Sequence, residues 1–153
     1  MMMDKRGIKK IINEVTPDII AMRRHIHENP ELSGEEVNTA AFMAEKLRSF
    51  GVEVTEHVAG TTAVLGYLKG GKPGPVIALR ADMDALPMTE ETGLPFASKF
   101  PGKMHACGHD GHMSILLGAA EVLSRIKDDI SGTVVFICQP SEEKSPEIGR
   151  AHV

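Results

Sequence analysis

With 153 residues, the chain is long enough for one ordinary domain that buries roughly 68–70% of its unfolded surface. Its composition, 42% hydrophobic and 25% charged, is that of a globular protein. Seventeen basic residues against 21 acidic ones, a formal charge of -4 and 4% aromatic residues supply neither the basic surface nor the stacking rings that a nucleic-acid or anionic-membrane partner requires. Two cysteines far apart read as reduced thiols, and MMMDKRGIKKIINEV breaks its apolar run too early for a signal peptide, so a cytoplasmic location is expected.

Ile8, Ile11, Ile12 and Val15 recur at helical spacing, and Ile19, Ile20 and Ile26 resume the pattern after Pro17. This predicts one kinked helix or two short ones. Ser33-Gly34-Glu35-Glu36 has the form of a capping box, which predicts a helix opening at Ser33 with a buried stripe of Val37, Ala40, Ala41, Ala44 and Leu47 and a stop at Gly51. From residue 52, VEVTEHV alternates; TTAVLGYL follows a loop at Ala59-Gly60, as in an antiparallel strand pair. GGKPG at 70–74 reads as a turn, and the apolar run Val76 to Leu79 as a central strand buried on both faces. Ile115, Leu116, Ala119, Val122, Leu123 and Ile126 predict a helix with Asp110 as its N-cap, and Thr133 to Cys138 a further buried strand. Strands alternating with helices predict an α/β fold, layered α-β-α around a mixed sheet.

Open α/β sheets bind ligands beyond the carboxyl ends of their strands. Asp82 and Asp84 follow one predicted strand, and Glu142 and Glu143 follow another. MHACGHDGHMS, with His105, Cys107, His109 and His112, precedes a helix at the same edge. Side chains two apart on an extended backbone share a side, so Cys107 and His109 have chelate spacing. Thiolate, imidazole and carboxylate together select zinc or a similar first-row divalent ion. Of the adjacent glutamates, one carboxylate would bind the ion while the other takes a proton from the attacking water. Two other readings stay open. Cys107 activated by His105 or His109 would be a redox or nucleophilic thiol, and a closed structural zinc site would make the chain a non-catalytic binding module. Cys138 reads as core, His57 carries no signal, and His25 and His27 read as rings suited to the dipole of a helix end.

RRHIHENPELSGEE, ALRADMDALPMTEETGLPFAS, MHACGHDGHM and GTVVFICQPSEE, in this order, resemble the amidohydrolase branch of the aminoacylase-like metallopeptidases, which includes N-acyl-L-amino acid amidohydrolases, hippurate hydrolases and auxin-conjugate hydrolases. The resemblance implies metal-dependent cleavage of N-acyl amino acids into carboxylate and free amino acid, in an aminopeptidase-like catalytic domain holding two divalent metal ions. Zinc or manganese is expected, with cobalt and nickel as further candidates. Cys107, His109 and Glu143 are implied as metal ligands and Glu142 as general base. Asp82, Asp84, Asp110 and His112 are implied either to bind the metals or to orient a ligand from behind. An N-acetyl-diaminopimelate deacetylase or a dipeptidase is the nearest alternative. The resemblance also implies that residues 1–146 are the N-terminal segment of a longer catalytic domain, that two further His ligands and a dimerisation domain lie elsewhere, and that the whole protein is a homodimer. EIGRAHV, at 147–153 with its His152, resembles a translated adapter and is set apart as a non-native tail.

Overall fold

The computed structural model describes residues 4–144, so the expected tail at 147–153 lies outside the described residues. Helix α1 spans Lys5–Glu28 as a single helix that contains Pro17, and the Asp4 carboxylate caps it by accepting from the Gly7 amide at 2.8 Å. Helix α2, Val37–Ser49, starts later than the capping box predicts: its N-cap residue is Glu36, and the Ser33 hydroxyl bonds elsewhere. Its buried face is Thr39, Ala40, Met43, Ala44 and Leu47, while Val37 and Ala41 face outward. The stop at Gly51 is as expected. Gly51 takes a left-handed φ of 81°, and the Gly51 and Val52 amides donate to the Arg48 and Leu47 carbonyls at 2.9 and 3.1 Å, the paired bonds of a Schellman ending.

Four strands, β1 (Glu53–Thr55), β2 (Val64–Lys69), β3 (Lys72–Asp82) and β4 (Ser131–Gln139), form one mixed sheet in the order β1-β2-β4-β3. β1 and β2 are antiparallel, as are β2 and β4, whereas β3 runs parallel to β4. The mixed α/β architecture expected from the sequence is therefore present. Helix α3, His109–Arg125, is the crossover between the parallel pair. The turn expected at 70–74 is shorter, because Lys72 already pairs with Ser131 and a register shift precedes Val76.

β4, not β3, is an interior strand, paired with β2 on one side and β3 on the other. β3 lies at the sheet edge with Val76 and Ile77 exposed, since an apolar run alone does not say which neighbours will cover it. Helix α3 also sits differently from its predicted stripe: Met113, Leu116, Leu117 and Ala120 are buried and Ile115 is exposed. One core joins Met22 and Ile26 of α1, Met43 and Leu47 of α2 and Leu116 and Leu117 of α3 to Val64, Leu68, Val134 and Phe136 of the sheet. The opposite sheet face, with Leu65, Val135 and Ile137, is half-buried. Among the described residues no helix is long and apolar enough to cross a membrane.

The parallel register places Asp82 opposite Gln139, so the stretches carrying Asp84 and Glu142-Glu143 leave the sheet at one end. The crossover helix starts at this same end and carries the chain back to the other before β4 begins, which places His109, its first residue, here too.

Candidate functional site

Asp84 stands at the centre of this end, 1% exposed. One of its carboxylate oxygens, Oδ2, accepts from the Ser33 hydroxyl at 2.6 Å and from the Glu143 amide at 2.9 Å. Three loops that are distant in sequence are thereby tied together. Bridge pairing of Leu32 with Ala85 explains why Ser33 reaches the site instead of capping α2. Burial by itself would raise the Asp84 carboxyl, but donation from His109, Ser33 and the Glu143 amide outweighs it and holds the group well below the usual carboxylate range.

His109 Nδ1 lies 2.8 Å from the Asp84 carbonyl oxygen and 3.3 Å from its Oδ1, a geometry in which Nδ1–H donates to Asp84. The Asp84 carboxylate raises the imidazole to about 9 against the opposing effect of burial. With Nδ1 engaged, Nε2 faces the acidic loop, 3.8 Å from Glu142 Oε2 and 3.8 Å from Glu143 Oε1. Glu143 Oε1 is buried and has no hydrogen-bond partner among the described residues. The metal-binding atoms of Cys107, His109 and Glu143 all lie within 4.8 Å of one another.

Cys107 is exposed at the rim. A hydrogen bond to Glu143, burial and the charges of Glu143, Glu142 and Asp84 all push its thiol up. An activated thiol needs the reverse, a basic or cationic neighbour that stabilises thiolate. The surrounding acids thus hold the thiol protonated despite His109 nearby, which weighs against the thiol-redox alternative, whereas a metal cation among these acids would favour the thiolate.

Asp82 and His112 form a second group with His109, again within 4.8 Å. His112 is exposed and stacks on His109 at 5.6 Å between ring centroids, and Asp82 Oδ1 pairs with Arg80 at 2.7 Å. His109 has one ring nitrogen left for a cation, so the two groups compete for it; Cys107 with Glu143 is favoured by the orphaned Glu143 oxygen. Asp110 is placed elsewhere. Gly108, at φ 99°, occupies the N-cap predicted for Asp110, and the buried Asp110 carboxylate turns to α1, where Arg23 and His27 donate to it.

Glu36 reads in the sequence only as the reaching-back member of a capping box, and the structure gives its carboxylate another task. It is 0% exposed; its Oε1 accepts from the Ser141 amide at 2.8 Å and its Oε2 from Thr62 at 2.9 Å. Ser141 takes a left-handed φ of 56°, and Glu36 secures the turn that aims Glu142 and Glu143 at His109. The local signal, the capping-box spacing from Ser33, pointed to the helix amide and not to a loop 105 residues away. His105 is also buried, and both of its ring nitrogens lack partners among the described residues; burial drives its imidazole down to about 4.

The chain is similar to known proteins over most of its length. Residues 78–153 match the family model described as Peptidase family M20/M25/M40. The chain is 51% identical over 145 residues to the N-acyl-L-amino acid amidohydrolase of Geobacillus stearothermophilus, covering 94% of this chain and 39% of that protein. It is 54% identical over 136 residues to Thermostable carboxypeptidase 1 of Saccharolobus solfataricus, covering 89% and 35%. The crystal structure of the Bacillus subtilis YXEP protein, described as a dinuclear metal-binding peptidase of the M20 family, superposes with a TM-score of 0.80 at 45% identity, covering 88% of this chain and 36% of that one. The chain thus spans under two-fifths of the length of these relatives. Four motifs in order, a matching family model and a shared fold agree, and the chain belongs to peptidase family M20/M25/M40.

Proposed function

We propose that this chain carries part of the active site of a metal-dependent amidohydrolase that splits N-acyl amino acids into a carboxylate and a free amino acid. The observation that carries this reading is the convergence of Cys107, His109 and Glu143, with a buried Glu143 oxygen that lacks a partner until a cation faces it. The donor set fits a divalent ion of the zinc or manganese type, with cobalt and nickel also compatible. The name of the Bacillus subtilis relative supports two ions per site in the whole protein. When bound, such ions act as Lewis acids that polarise the scissile carbonyl and acidify the attacking water.

The residues of this chain divide the remaining work. Asp84 holds the His109 ring with Nε2 outward. Glu143 contributes its buried oxygen to the cation, while Glu142, more exposed beside it, takes a proton from the attacking water and delivers it to the leaving amine. Asp82 and His112 flank His109 and supply further donors or orient it. We place the whole protein in a homodimer acting on a small-molecule substrate in the cytoplasm.

A peptidase acting at a free C-terminal amino acid is the second reading, favoured by the name of the Saccharolobus solfataricus relative. The test is hydrolysis of N-acetyl- and N-benzoyl-amino acids, alongside a dipeptide, by the complete product of the reading frame, with Glu142→Gln as control. Turnover of the N-acyl substrates that Glu142→Gln abolishes is expected. Turnover of dipeptides alone would select the second reading, and turnover of neither would reject both.

A further inference from the structure

Behind the site lies a buried polar cluster that the proposed reaction does not use. His27 Nδ1 lies 2.8 Å from Asp110 Oδ2, and its Nε2 lies 3.1 Å from Glu90 Oε1. The side chains of His27, Glu90 and Asp110 are 6%, 3% and 1% exposed. Arg23 Nε donates to the same Asp110 oxygen at 3.1 Å, and the Ser98 amide donates to Glu90 Oε2 at 2.6 Å. Each nitrogen of the His27 ring thus faces a carboxylate oxygen, a grip that needs a proton at both contacts.

The cluster is placed where α3 is weakest. Gly108, the N-cap, has no side chain with which to hold the first turn. The next two residues are His109, whose ring points to Asp84, and Asp110, whose carboxylate points to α1. Only Gly accepts φ 99° without strain, so the stiffness that a capping side chain would supply must come from another source. The Asp110 carboxylate provides it, clamped to a long helix by two donors.

We infer that His27 is a positioning residue for the metal site: through Asp110 it fixes the first turn of α3 and so holds the His109 ring in register with Cys107 and Glu143. This rests on the metal-binding reading above. Partners that orient a ligand from behind commonly change metal affinity about 10–100-fold when removed.

Cobalt(II) titration of the complete product of the reading frame, followed by the thiolate-to-cobalt absorption of Cys107, reads the site without turnover. His27→Asn keeps a donor near the place of Nδ1, facing Asp110; His27→Gln keeps one only near Nε2, facing Glu90. The expected result is a cobalt affinity about 10–100-fold weaker in His27→Gln and near the wild-type value in His27→Asn, with far-UV circular dichroism showing both folded. A merely structural ring would be missed equally in both variants, so equal weakening overturns the inference, as does wild-type affinity in His27→Gln. If His27→Gln does not fold, Arg23→Gln, half-exposed, removes the other donor to Asp110; weaker cobalt binding supports the inference and unchanged binding overturns it. No thiolate-to-cobalt band in the complete wild-type protein would overturn the metal reading first and this inference with it.

Discussion

His109 Nδ1 sits 2.8 Å from the backbone carbonyl of Asp84, 25 residues earlier in the chain. That contact decides which face of the imidazole is free. Because Nδ1 is committed to a fixed acceptor, Nε2 is presented to the carboxylates of Glu142 and Glu143 without the entropy loss of ordering a free ring. Asp84 also receives the Glu143 amide, so one buried residue sets the ligand ring and the acidic loop in a common frame.

Cys107→Ala and His109→Ala should each lower cobalt or zinc bound by the complete protein, because each removes a donor from a group of three. Equilibrium dialysis with metal analysis checks this. Unchanged stoichiometry and affinity in both variants would rule out the ligand roles.

Glu142→Gln, in the complete protein, should keep metal and lose turnover by about 10²–10⁴-fold, the usual worth of a placed general base. Glu143→Gln should lose metal instead. The reverse pattern would exchange the two roles.

Metal affinity should climb steeply with pH. A cation competes with a proton on His109, held up to about 9 by Asp84, and with the thiol proton of Cys107, which Glu143 pushes up. Below pH 9 both protons leave on binding, so apparent affinity rises by about 100-fold per pH unit. Proton release in weakly buffered solution measures this directly, and binding without release would contradict it.

Asp84 should govern acid stability. Its folded carboxyl is depressed, so its stabilisation is fully present above the unfolded value of about 3.9 and is lost as pH falls below that toward the folded value. Asp84→Ala, which strips partners from Ser33, His109 and the Glu143 amide, should cost about 3–5 kcal/mol at neutral pH. Asp84→Asn should show a flatter dependence of melting temperature on pH below about 4 than the wild type. Parallel curves for the two proteins would show that Asp84 is not the titrating hub.

The 153-residue chain expressed alone should self-associate and fail to hydrolyse N-acyl amino acids with added zinc or manganese. Cys107, His109 and Glu143, even with Asp82 and His112, are too few donors for two ions that each want about four ligands. Val76 and Ile77, 68% and 56% exposed on the edge strand β3, and Ile115, 69% exposed on α3, form an unprotected apolar margin. Ile77→Lys should raise the monomer fraction in light scattering. A monomeric wild-type chain with turnover would refute both expectations.

The local part of this protein was legible in its sequence. Cys107-x-His109 and Glu142-Glu143 stand out because they crowd chemistry into a few residues, and Gly51 and the apolar run of β4 declare themselves through backbone sterics and composition. What tertiary structure decided is which distant group each polar side chain meets. Ser33 has the spacing of a helix cap but lies next to Asp84, 51 residues away, and Asp110 has the chemistry of a cap but finds His27, 83 residues away. Glu36 reaches the Ser141 amide across 105 residues. The same holds for β3, whose apolar run reads as a central strand until its neighbours are known. Periodicity and propensity act within a few residues along the chain, whereas a buried carboxylate takes whichever donor the packing of the core brings to it, and that choice is made only when the whole domain folds.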